Sequence, residues 1–497
     1  MLGLLAFRHL LQRPWRTLLL LIGYALGVAV MVVLLSIGTA MLTQARRERL
    51  VGGGQITVLP EGIDVEVMKT GGLGGMFLSI DHARFIYRQL LASPRLAPEV
   101  RAAAPQIVGK LIYITTPSDR QVPVLASGQI PSRNAAVGAG PTLAAGTWTD
   151  DTLDRQWRDP TPFELRNEID HFHMPPASAA GDPSWAEWHY FNVVSGDGRQ
   201  WAFISYIVAG QVADGRWGGQ VLVTLHEQGE PARRFVADAP ASAVRFSTTN
   251  ADLRIGQSWV SVLPDGRYRL RAVARAEADG APLTLDLVVS PEPGAYFPGA
   301  SFTSDSLVSG YVVPALRAEA NGTICVRGAC ERYDAAQAYH DHNWGTWRGV
   351  TWEWGAGRAG KLGVLYGRVS AGGSPTVLRP LFVYLTDSLG FLAVFRPKEI
   401  QYTDGRVIVV NGHRVMVPVC GEMTDVRGGD TLHVEIDVQD AAGTDTRAPL
   451  IERGETGAAR AIARPYFIQM KGLMHVSGRV HGQVIRGSGT GFFETYR

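Results

Sequence analysis

The sequence predicts a mainly β protein in which one membrane-spanning helix and a small α+β segment precede two antiparallel β-barrels or sandwiches. Three observations lead to this prediction. An uncharged apolar run lies near the N-terminus, short β-type runs with turn signals fill the last two-thirds of the chain, and the composition includes 57 Gly and 12 Trp. Short strands separated by Gly-rich turns at regular spacing are typical of barrels and sandwiches.

The length and the charge of the chain narrow the classes of function. The 497 residues leave room for several domains. The net charge is +2, from 48 Lys and Arg against 46 Asp and Glu, and the charges are spread evenly. Because there is no basic block, a nucleic-acid partner is not expected.

The uncharged run covers residues 17–42. At about 1.5 Å of rise per residue it is about 39 Å long, which is enough to span a bilayer. A signal peptide has a shorter apolar core, so the run predicts a retained anchor. Arginines flank both ends, and we expect residues 1–16 in the cytoplasm and the bulk of the chain outside it. This predicts a single-pass protein of the bacterial inner membrane.

Residues 43–160 mix short strands with helix and form the predicted α+β segment. Ser79, Ile80 and Asp81 can cap a helix that runs to about Leu91, and PQIVGKLIYIT, from residue 105, has the composition of a strand. A polar stretch around residues 148–170 then connects to the β-rich part of the chain.

Two cysteines lie in the hairpin sequence GTICVRGACE. A two-residue turn at Arg327 and Gly328 pairs Cys325 with Cys330, close enough for a disulfide in an oxidising compartment. The alternative is two reduced, buried cysteines. Cys420 is left over, and without CxxC spacing the cysteines predict no zinc site.

Two motifs that suggest a cofactor or a metal are weak. GAGRAGKL, at residues 355–362, fits the glycine pattern of a nucleotide-binding loop, but it reads as strand, turn, strand rather than as the start of a helix. His171 and His173 share a strand face, with Asp170 adjacent, yet no third metal ligand follows at a recognisable spacing. The expectation is therefore no cofactor and no metal.

Two short segments concentrate polar and aromatic side chains. In EWHYFN, residues 187–192, and in AYHDHNWGTW, residues 338–347, a strand sends alternate side chains to opposite faces. Tyr339, Asp341 and Asn343 thus share one side, away from His340 and His342. If that side is enclosed, burial raises the pKa of the aspartate, and a neutral acid among aromatic rings can protonate an apolar double bond. The alternative is a structural network at a strand end, with tryptophans sealing the core.

These two motifs, with TWEWGAG and the closing GSGTGFFE, resemble the AttH-like / carotenoid 1,2-hydratase (hydroxyneurosporene synthase, CrtC) family over about residues 165–497. The resemblance implies two lipocalin-like barrels, residues 161–348 and 349–497. It also implies that water is added across an isoprenoid double bond without a redox cofactor, with Tyr339 and Asp341 in the active site. The sequence departs from the family at Tyr311, where a His-x-Trp pair is missing, and at His189, where a second Trp is common.

The first 120 or so residues resemble the start of an FtsX/MacB-type ABC-transporter permease. The run LAFRHLLQRPWRTLLLLIGYALGVAVMVVLLSIG carries this resemblance, with VLPEGIDV and VRAAAPQIVGKL beyond it. Such permeases continue into further spanning helices, and this chain does not. The resemblance implies ATPase and permease subunits of an ABC transporter as partners.

Together these features predict a membrane-anchored, lipocalin-like protein that binds an isoprenoid or other lipid-like molecule, with hydratase-type chemistry at Asp341. As an enzyme it would be a cofactor-free hydro-lyase or cyclase, with Asp341 as the general acid and Tyr339 and His342 orienting it. The remaining side chains expected at the ligand are Glu187, Trp188, Tyr190, Asn343, Trp344, Trp352 and Trp354. The alternative function is a non-catalytic accessory or fused permease subunit of an ABC lipid or lipoprotein export system.

Overall fold

The computed structural model describes residues 14–47, 56, 58, 80–138, 149–155, 162–303, 308–370, 380–447, 457, 460 and 462–497. Within these residues, five segments are α-helical: α1 (Pro14–Arg47), α2 (Ile80–Ala92), α3 (Pro131–Ala136), α4 (Thr152–Arg155) and α5 (Pro162–Ile169). Strands account for 58% of the described residues, so the prediction of a mainly β protein is confirmed.

The described strands fall into three antiparallel sheets. The first sheet is the hairpin β1 (Gln106–Thr115) and β2 (Gln121–Gln129). The second sheet contains β3 (Trp185–Val194), β4 (Gln200–Gln211), β5 (Arg216–Glu227), β6 (Arg233–Pro240), β7 (Val244–Phe246), β8 (Leu253–Ile255), β9 (Ser258–Val262), β10 (Tyr268–Ala276), β11 (Pro282–Pro291), β12 (Phe297–Thr303), β13 (Val308–Val326) and β14 (Ala329–Thr346). The third sheet contains β15 (Thr351–Ala359), β16 (Leu362–Ser370), β17 (Phe382–Asp387), β18 (Gly390–Phe395), β19 (Gln401–Val410), β20 (His413–Arg427), β21 (Asp430–Asp445), β22 (Tyr466–Val480) and β23 (Gln483–Tyr496).

Helix α1 has the apolar character that the sequence predicts. Its stretch Pro14–Ile37 is long and apolar enough to cross a membrane, and none of it is buried by the rest of the protein. The predicted span, residues 17–42, lies inside this helix. Residues 1–13, which were assigned to the cytoplasm, lie outside the described residues.

The chain divides into two compact units, Met1–Leu78 with Ala102–Arg158, and Ser79–Arg101 with Asp159–Arg497. In the first unit, β1 pairs with β2, and the side chain of Gln106 donates to Asn134 of α3 at 2.9 Å. Helix α2 and strand β1 confirm the helix and the strand predicted there. The α+β segment predicted for residues 43–160 includes α2, whereas the structure packs α2 in the second unit, where Phe85 contacts Phe297 and Tyr384.

The second sheet closes on itself into an eight-stranded barrel. Strand β10 pairs with β11 on one side and with β6 on the other, which completes the ring β11, β13, β14, β3, β4, β5, β6, β10. The barrel wall has an inner and an outer face. In β10, side chains alternate between buried and more exposed positions, because successive residues of a strand point to opposite faces. The inward side chains, such as Leu270 and Ala272, fill the barrel with one apolar core.

The third sheet curls around a second apolar core. Its hydrogen-bonded order runs from β18 through β15 and β23 to β19. Side chains from both ends, such as Phe395 and Val410, share the core. Between β20 and β18, the side chain of Arg427 makes a hydrogen bond: its guanidinium donates to the carbonyl oxygen of Val394 at 3.4 Å. The predicted hairpin at GAGRAGKL is confirmed as β15, turn, β16.

A third apolar cluster lies between the barrel and the third sheet, and we call this interface the seam. The barrel contributes Tyr190, Phe203 and Tyr339, and the third sheet contributes Trp354 and Phe492, with further residues of both sheets. Both sheets therefore present an apolar outer face here, and each face is buried by the other. Polar groups enclosed in the seam are shielded from solvent.

The hairpin between β13 and β14 carries a disulfide bond. Arg327 and Gly328 both have positive φ, 51° and 85°, as a type I′ turn requires. The turn places Cys325 opposite Cys330, and the two sulfur atoms are bonded. Cys420 lies in β20 as a free thiol.

We expect alkylation to count one free cysteine. The full chain, unfolded without reductant and treated with iodoacetamide, should gain one alkyl group by intact-mass spectrometry and three after reduction, because two of its three cysteines are bonded to each other. Cys420→Ser is the matched control, and it should gain none without reductant. Three alkyl groups on the unreduced wild type would contradict the bond.

Candidate active site

The two polar and aromatic motifs lie side by side because β3 pairs with β14. In this antiparallel register Asp341 lies opposite Tyr190, and His342 lies opposite His189. Alternation along each strand then divides the side chains into two groups on opposite faces. One group lies in the seam. The other lies inside the barrel, where α5 and the loop after it meet β3 and β14, and we call it the barrel cluster.

In the seam, two hydrogen bonds fix the carboxyl group of Asp341, and a third orients one of the two donors. The Tyr339 hydroxyl donates to Oδ2 at 2.8 Å, and the Asn343 amide donates to Oδ1 at 2.6 Å. The Trp354 indole N–H donates to the Tyr339 oxygen at 2.9 Å, so the tyrosine proton is directed towards the aspartate. Each carboxyl oxygen keeps a second lone pair, where a proton can be held without loss of these bonds.

A second carboxyl group, that of Glu494, lies in the same seam. β23 places it opposite Trp354 of β15. The Trp352 indole N–H donates to Oε2 at 2.7 Å, and the Gln469 amide donates to Oε1 at 3.4 Å. The site predicted from the sequence did not include Glu494, although the closing GSGTGFFE motif contains it.

The enclosure of the seam changes the acidity of its groups. Burial, with the nearby carboxyl of Glu494, raises the pKa of Asp341 to about 8, although the bonds from Tyr339 and Asn343 act in the opposite direction. Burial also raises the pKa of Glu494. Burial and the two carboxyl groups raise the pKa of the Tyr190 phenol well above its ordinary value. At pH 7 the raised pKa therefore favours the neutral form of Asp341.

Tryptophan rings surround one end of the seam. Trp188 is half-buried, and its ring centroid lies 4.6 Å from that of Trp347 and 6.2 Å from that of Trp352. Trp347 donates its indole N–H to the carbonyl oxygen of Ala186 at 3.0 Å. The site predicted from the sequence omitted Trp347, which belongs to the quoted AYHDHNWGTW motif.

A cavity of about 10 Å³ lies beside Tyr339. Its lining also includes Asn192, Gln337 and Phe492. The side-chain oxygen of Asn192 is buried and has no hydrogen-bond partner among the described residues. A cavity of this size has room for about one water molecule, and Asn192 and Tyr339 offer it polar groups.

Asp170 organises the barrel cluster on the other face of the strands. Its Oδ2 accepts the Tyr268 hydroxyl at 2.5 Å and faces His340 Nε2 at 3.2 Å, while its Oδ1 lies 2.8 Å from His342 Nδ1. Burial alone would raise the pKa of Asp170. The imidazoles of His340, His342 and His189 outweigh burial and hold that pKa well below its usual range.

Glu187 is the second carboxylate of the barrel cluster. The His173 backbone N–H donates to its two oxygens, at 2.7 Å and 3.0 Å. Oε1 also lies 3.0 Å from His173 Nδ1 and 2.8 Å from His342 Nε2. Burial would lower the pKa of His342, but Asp170 and Glu187 outweigh it and raise that pKa to about 9.

The structure therefore separates side chains that the sequence analysis grouped into one site. Asp341, Tyr339, Tyr190, Asn343 and Trp354 come together in the seam.

Three of the predicted side chains lie on the opposite face. His342 was expected to orient Asp341, but its ring faces Asp170 and Glu187. Glu187 belongs to the same cluster, and Trp344 stacks on His173 at 3.5 Å between ring centroids. The physical reason is that neighbouring residues of a strand point to opposite faces, so His342 cannot lie beside Asp341.

The barrel cluster contains residues that the sequence analysis left outside the site. Asp170 and His173 were weighed only as part of a metal motif, and His189 and His340 were given no role. They lie together because the loop after α5 folds against β3 and β14, which are distant in sequence. The sequence feature that could have indicated this cluster is the close spacing of His171 with His173 and of His340 with His342.

These features define a protein with a closed antiparallel barrel, a second antiparallel sheet and an acid-containing aromatic seam between them. No family model matches the chain, and no curated protein matches its sequence. The chain is similar to solved structures, among them a protein designated AttH from Nitrosomonas europaea, with 16% identity, 66% of this chain and 97% of that chain covered, and a TM-score of 0.43. CghA with Sch210972 has 13% identity, 66% and 95% coverage, and a TM-score of 0.43. Kievitone hydratase from Nectria haematococca has 13% identity, 66% and 94% coverage, and a TM-score of 0.39.

We expect Asp170→Asn to lower the free energy of unfolding by about 3–5 kcal/mol, because it replaces a buried carboxylate that faces Tyr268 and two histidines with a neutral amide. Urea unfolding measured by tryptophan fluorescence gives this difference. Asp334→Asn, at an exposed position of β14, is the matched control and should change stability by less than about 0.5 kcal/mol. Equal effects of the two variants would remove Asp170 as the organising group.

Proposed function

We propose that the seam binds an apolar, unsaturated molecule of the isoprenoid or lipid class, and that Asp341 donates a proton to one of its double bonds. The observation that carries the proposal is the position of the carboxyl group. It lies enclosed between two sheets, held by Tyr339 and Asn343, and it is surrounded by aromatic rings. A positioned acid in an apolar, aromatic environment suits the protonation of an alkene.

The proposed reaction is the addition of water. The proton of the Asp341 carboxyl bonds to one alkene carbon, and the π electrons form that C–H bond, which leaves a cation on the other carbon. A water oxygen bonds to the cationic carbon and loses a proton to the Asp341 carboxylate. The acid is restored, and no oxidant or reductant is needed. The cavity beside Tyr339 and Asn192 is the position that we assign to the water.

The neighbouring side chains have separate roles in this proposal. Tyr339 positions the carboxyl group, because its own oxygen is engaged by the Trp354 N–H and its proton is directed to Asp341. The faces of Trp354 and Tyr190 stabilise the cation through their π electrons. The half-buried rings of Trp188 and Trp352 form the side through which the apolar molecule enters.

We also propose that the protein acts at a membrane, with α1 as a single-pass anchor in the bacterial inner membrane. The length and composition of α1 support the anchor, and the Cys325–Cys330 bond supports an oxidising, extracytoplasmic location for the barrel. An enzyme anchored in this way is close to the lipid bilayer, in which water-insoluble substrates are dissolved.

The second candidate is a carrier that holds a lipid-like molecule without changing it, as an accessory or fused permease subunit of an ABC export system. The apolar helix α1 suits this function as well as the first, because a carrier for membrane lipids also needs an anchor. The carrier has no need of an acid, so the two candidates differ in what Asp341 does.

The test uses the full chain in detergent with squalene and a bacterial neutral-lipid extract, in ¹⁸O-labelled water. The lipids that are bound and released are then analysed by mass spectrometry. We expect the wild type to add one labelled water to an isoprenoid, and Asp341→Asn to lower the rate at least about 100-fold, as loss of a general acid does. Tyr339→Phe should retain turnover at a reduced rate, because it keeps the acid and loses only a positioning bond.

Asp334→Asn is the matched control, because it changes an exposed carboxyl of the same strand and should leave turnover unchanged. Lipid that is bound but unchanged by both wild type and Asp341→Asn would support the carrier instead. Turnover that persists in Asp341→Asn would remove Asp341 as the acid.

A further inference from the structure

Three side chains of the barrel cluster bring nitrogen and oxygen atoms together where the loop after α5 meets the barrel. Glu187 Oε1 lies 3.0 Å from His173 Nδ1 and 2.8 Å from His342 Nε2, and one donor atom from each residue lies within 4.8 Å of the other two. β3 supplies the carboxylate, β14 supplies one imidazole and the loop supplies the other. Two imidazoles and one carboxylate form a common ligand set for first-row divalent metals.

The ring of His342 is oriented as a metal ligand would be. Its Nδ1 lies 2.8 Å from Asp170 Oδ1, and a proton on Nδ1 makes this contact a hydrogen bond. Once the ring has released the proton on Nε2, that nitrogen carries a free lone pair in this tautomer. An outer carboxylate that fixes the tautomer of a ligand histidine is a regular feature of metal sites.

An independent observation concerns the same nitrogen, Nε2 of His342. It is fully buried and pairs with Glu187 Oε1 at 2.8 Å, but the contact lacks the alignment of a hydrogen bond. The two atoms are close, but the ring nitrogen is not aligned to donate to that oxygen. Ligand atoms around an ion have this relation, because their lone pairs converge on a shared point rather than on each other.

The other two ligands are also held in place. Glu187 accepts the backbone N–H of His173 on both oxygens, at 2.7 Å and 3.0 Å. The His173 ring stacks on Trp344 with 3.5 Å between centroids and 5° between planes. His173 is partly exposed, with 21% of its side chain accessible, so an ion can reach the ligands from solvent.

We propose that His173 Nδ1, a Glu187 carboxylate oxygen and His342 Nε2 bind a first-row divalent metal ion, with Zn²⁺ as its representative. Zinc bonds of about 2.0–2.1 Å in a tetrahedron place ligand atoms about 3.3 Å apart, so the Glu187 oxygen, at 3.0 Å and 2.8 Å from the two nitrogens, needs to move only a few tenths of an ångström away from each. The ion would take the place of the proton between Nε2 and the carboxylate, and water that enters beside the partly accessible His173 would be its fourth ligand.

A neighbouring group, Asp170 with His189 and His340, is less suited to an ion. The oxygens of Asp170 already meet Tyr268, His340 and His342, and all three members of the group are enclosed. In our assignment Asp170 serves as the outer carboxylate of the metal site.

The ion would fasten the loop that carries Asp170 and His173 to two neighbouring strands of the barrel. This role is separate from the proposed chemistry of Asp341, which lies on the opposite face of the strands. The two proposals can therefore fail independently.

The experiment uses the full chain in detergent, purified without a polyhistidine tag, stripped with EDTA and titrated with Zn²⁺ against a chromophoric chelator. The variants are His173→Gln and the matched control His171→Gln, which removes a histidine two residues away that stacks on His173 but belongs to neither metal-binding group. We expect one Zn²⁺ per chain in the wild type and in His171→Gln, and an affinity at least about 10-fold lower in His173→Gln. Circular dichroism checks that each variant is folded.

Two results would overturn the metal site. One is the absence of stoichiometric Zn²⁺ binding by the wild type, and the other is equal affinity in His173→Gln and His171→Gln. If His173→Gln does not fold, the wild type is loaded with Co²⁺ and its visible absorption spectrum is measured. The visible absorption bands of a tetrahedral nitrogen and oxygen site support the proposal, and the spectrum of hydrated Co²⁺ contradicts it.

Discussion

The antiparallel pairing of β3 with β14 is the constraint on which the rest of the structure depends. Nine residue pairs in register, from Ala338 opposite Val193 to Thr346 opposite Trp185, form part of the barrel wall and carry both polar motifs. Because side chains alternate between faces, this one pairing sends Asp341 with Tyr190 to the seam and His342 with His189 into the barrel. A slip of one residue in register would exchange the two faces and leave charged groups in apolar surroundings.

Buried carboxyl groups have different surroundings on the barrel side and on the seam side of β3 and β14. Inside the barrel, Asp170 and Glu187 lie within hydrogen-bonding distance of histidines, and the imidazoles hold the pKa of Asp170 well below its usual range. In the seam, Asp341 and Glu494 meet aromatic rings and neutral donors, so the neutral form is favoured. Burial disfavours the charged form on both faces, and the imidazoles beside Asp170 decide that this carboxyl group keeps its charge.

Local patterns predicted a large part of this arrangement. The alternation of Tyr339, Asp341 and Asn343 placed them on one side, and the tyrosine and the amide do bond to the aspartate. The Arg327–Gly328 turn set the pairing of Cys325 with Cys330, which are bonded in the structure. Both features depend on residues close in sequence, for which strand and turn geometry are sufficient. The family-level expectations about ligand and partners remain proposals.

The residues that complete the two sites are distant in sequence from the motifs, and for this reason local patterns did not predict them. Glu494 reaches the seam only because the third sheet packs on the barrel, and Asp170 reaches His340 only because the loop after α5 folds against the barrel strands. The sequence by itself determined the β class, the apolar helix and the face of each motif residue, since strand periodicity, apolar run length and turn chemistry are local properties. The tertiary structure decided which carboxyl group meets a histidine and which meets a tryptophan, because those contacts depend on sheet closure and packing between segments that no local pattern relates.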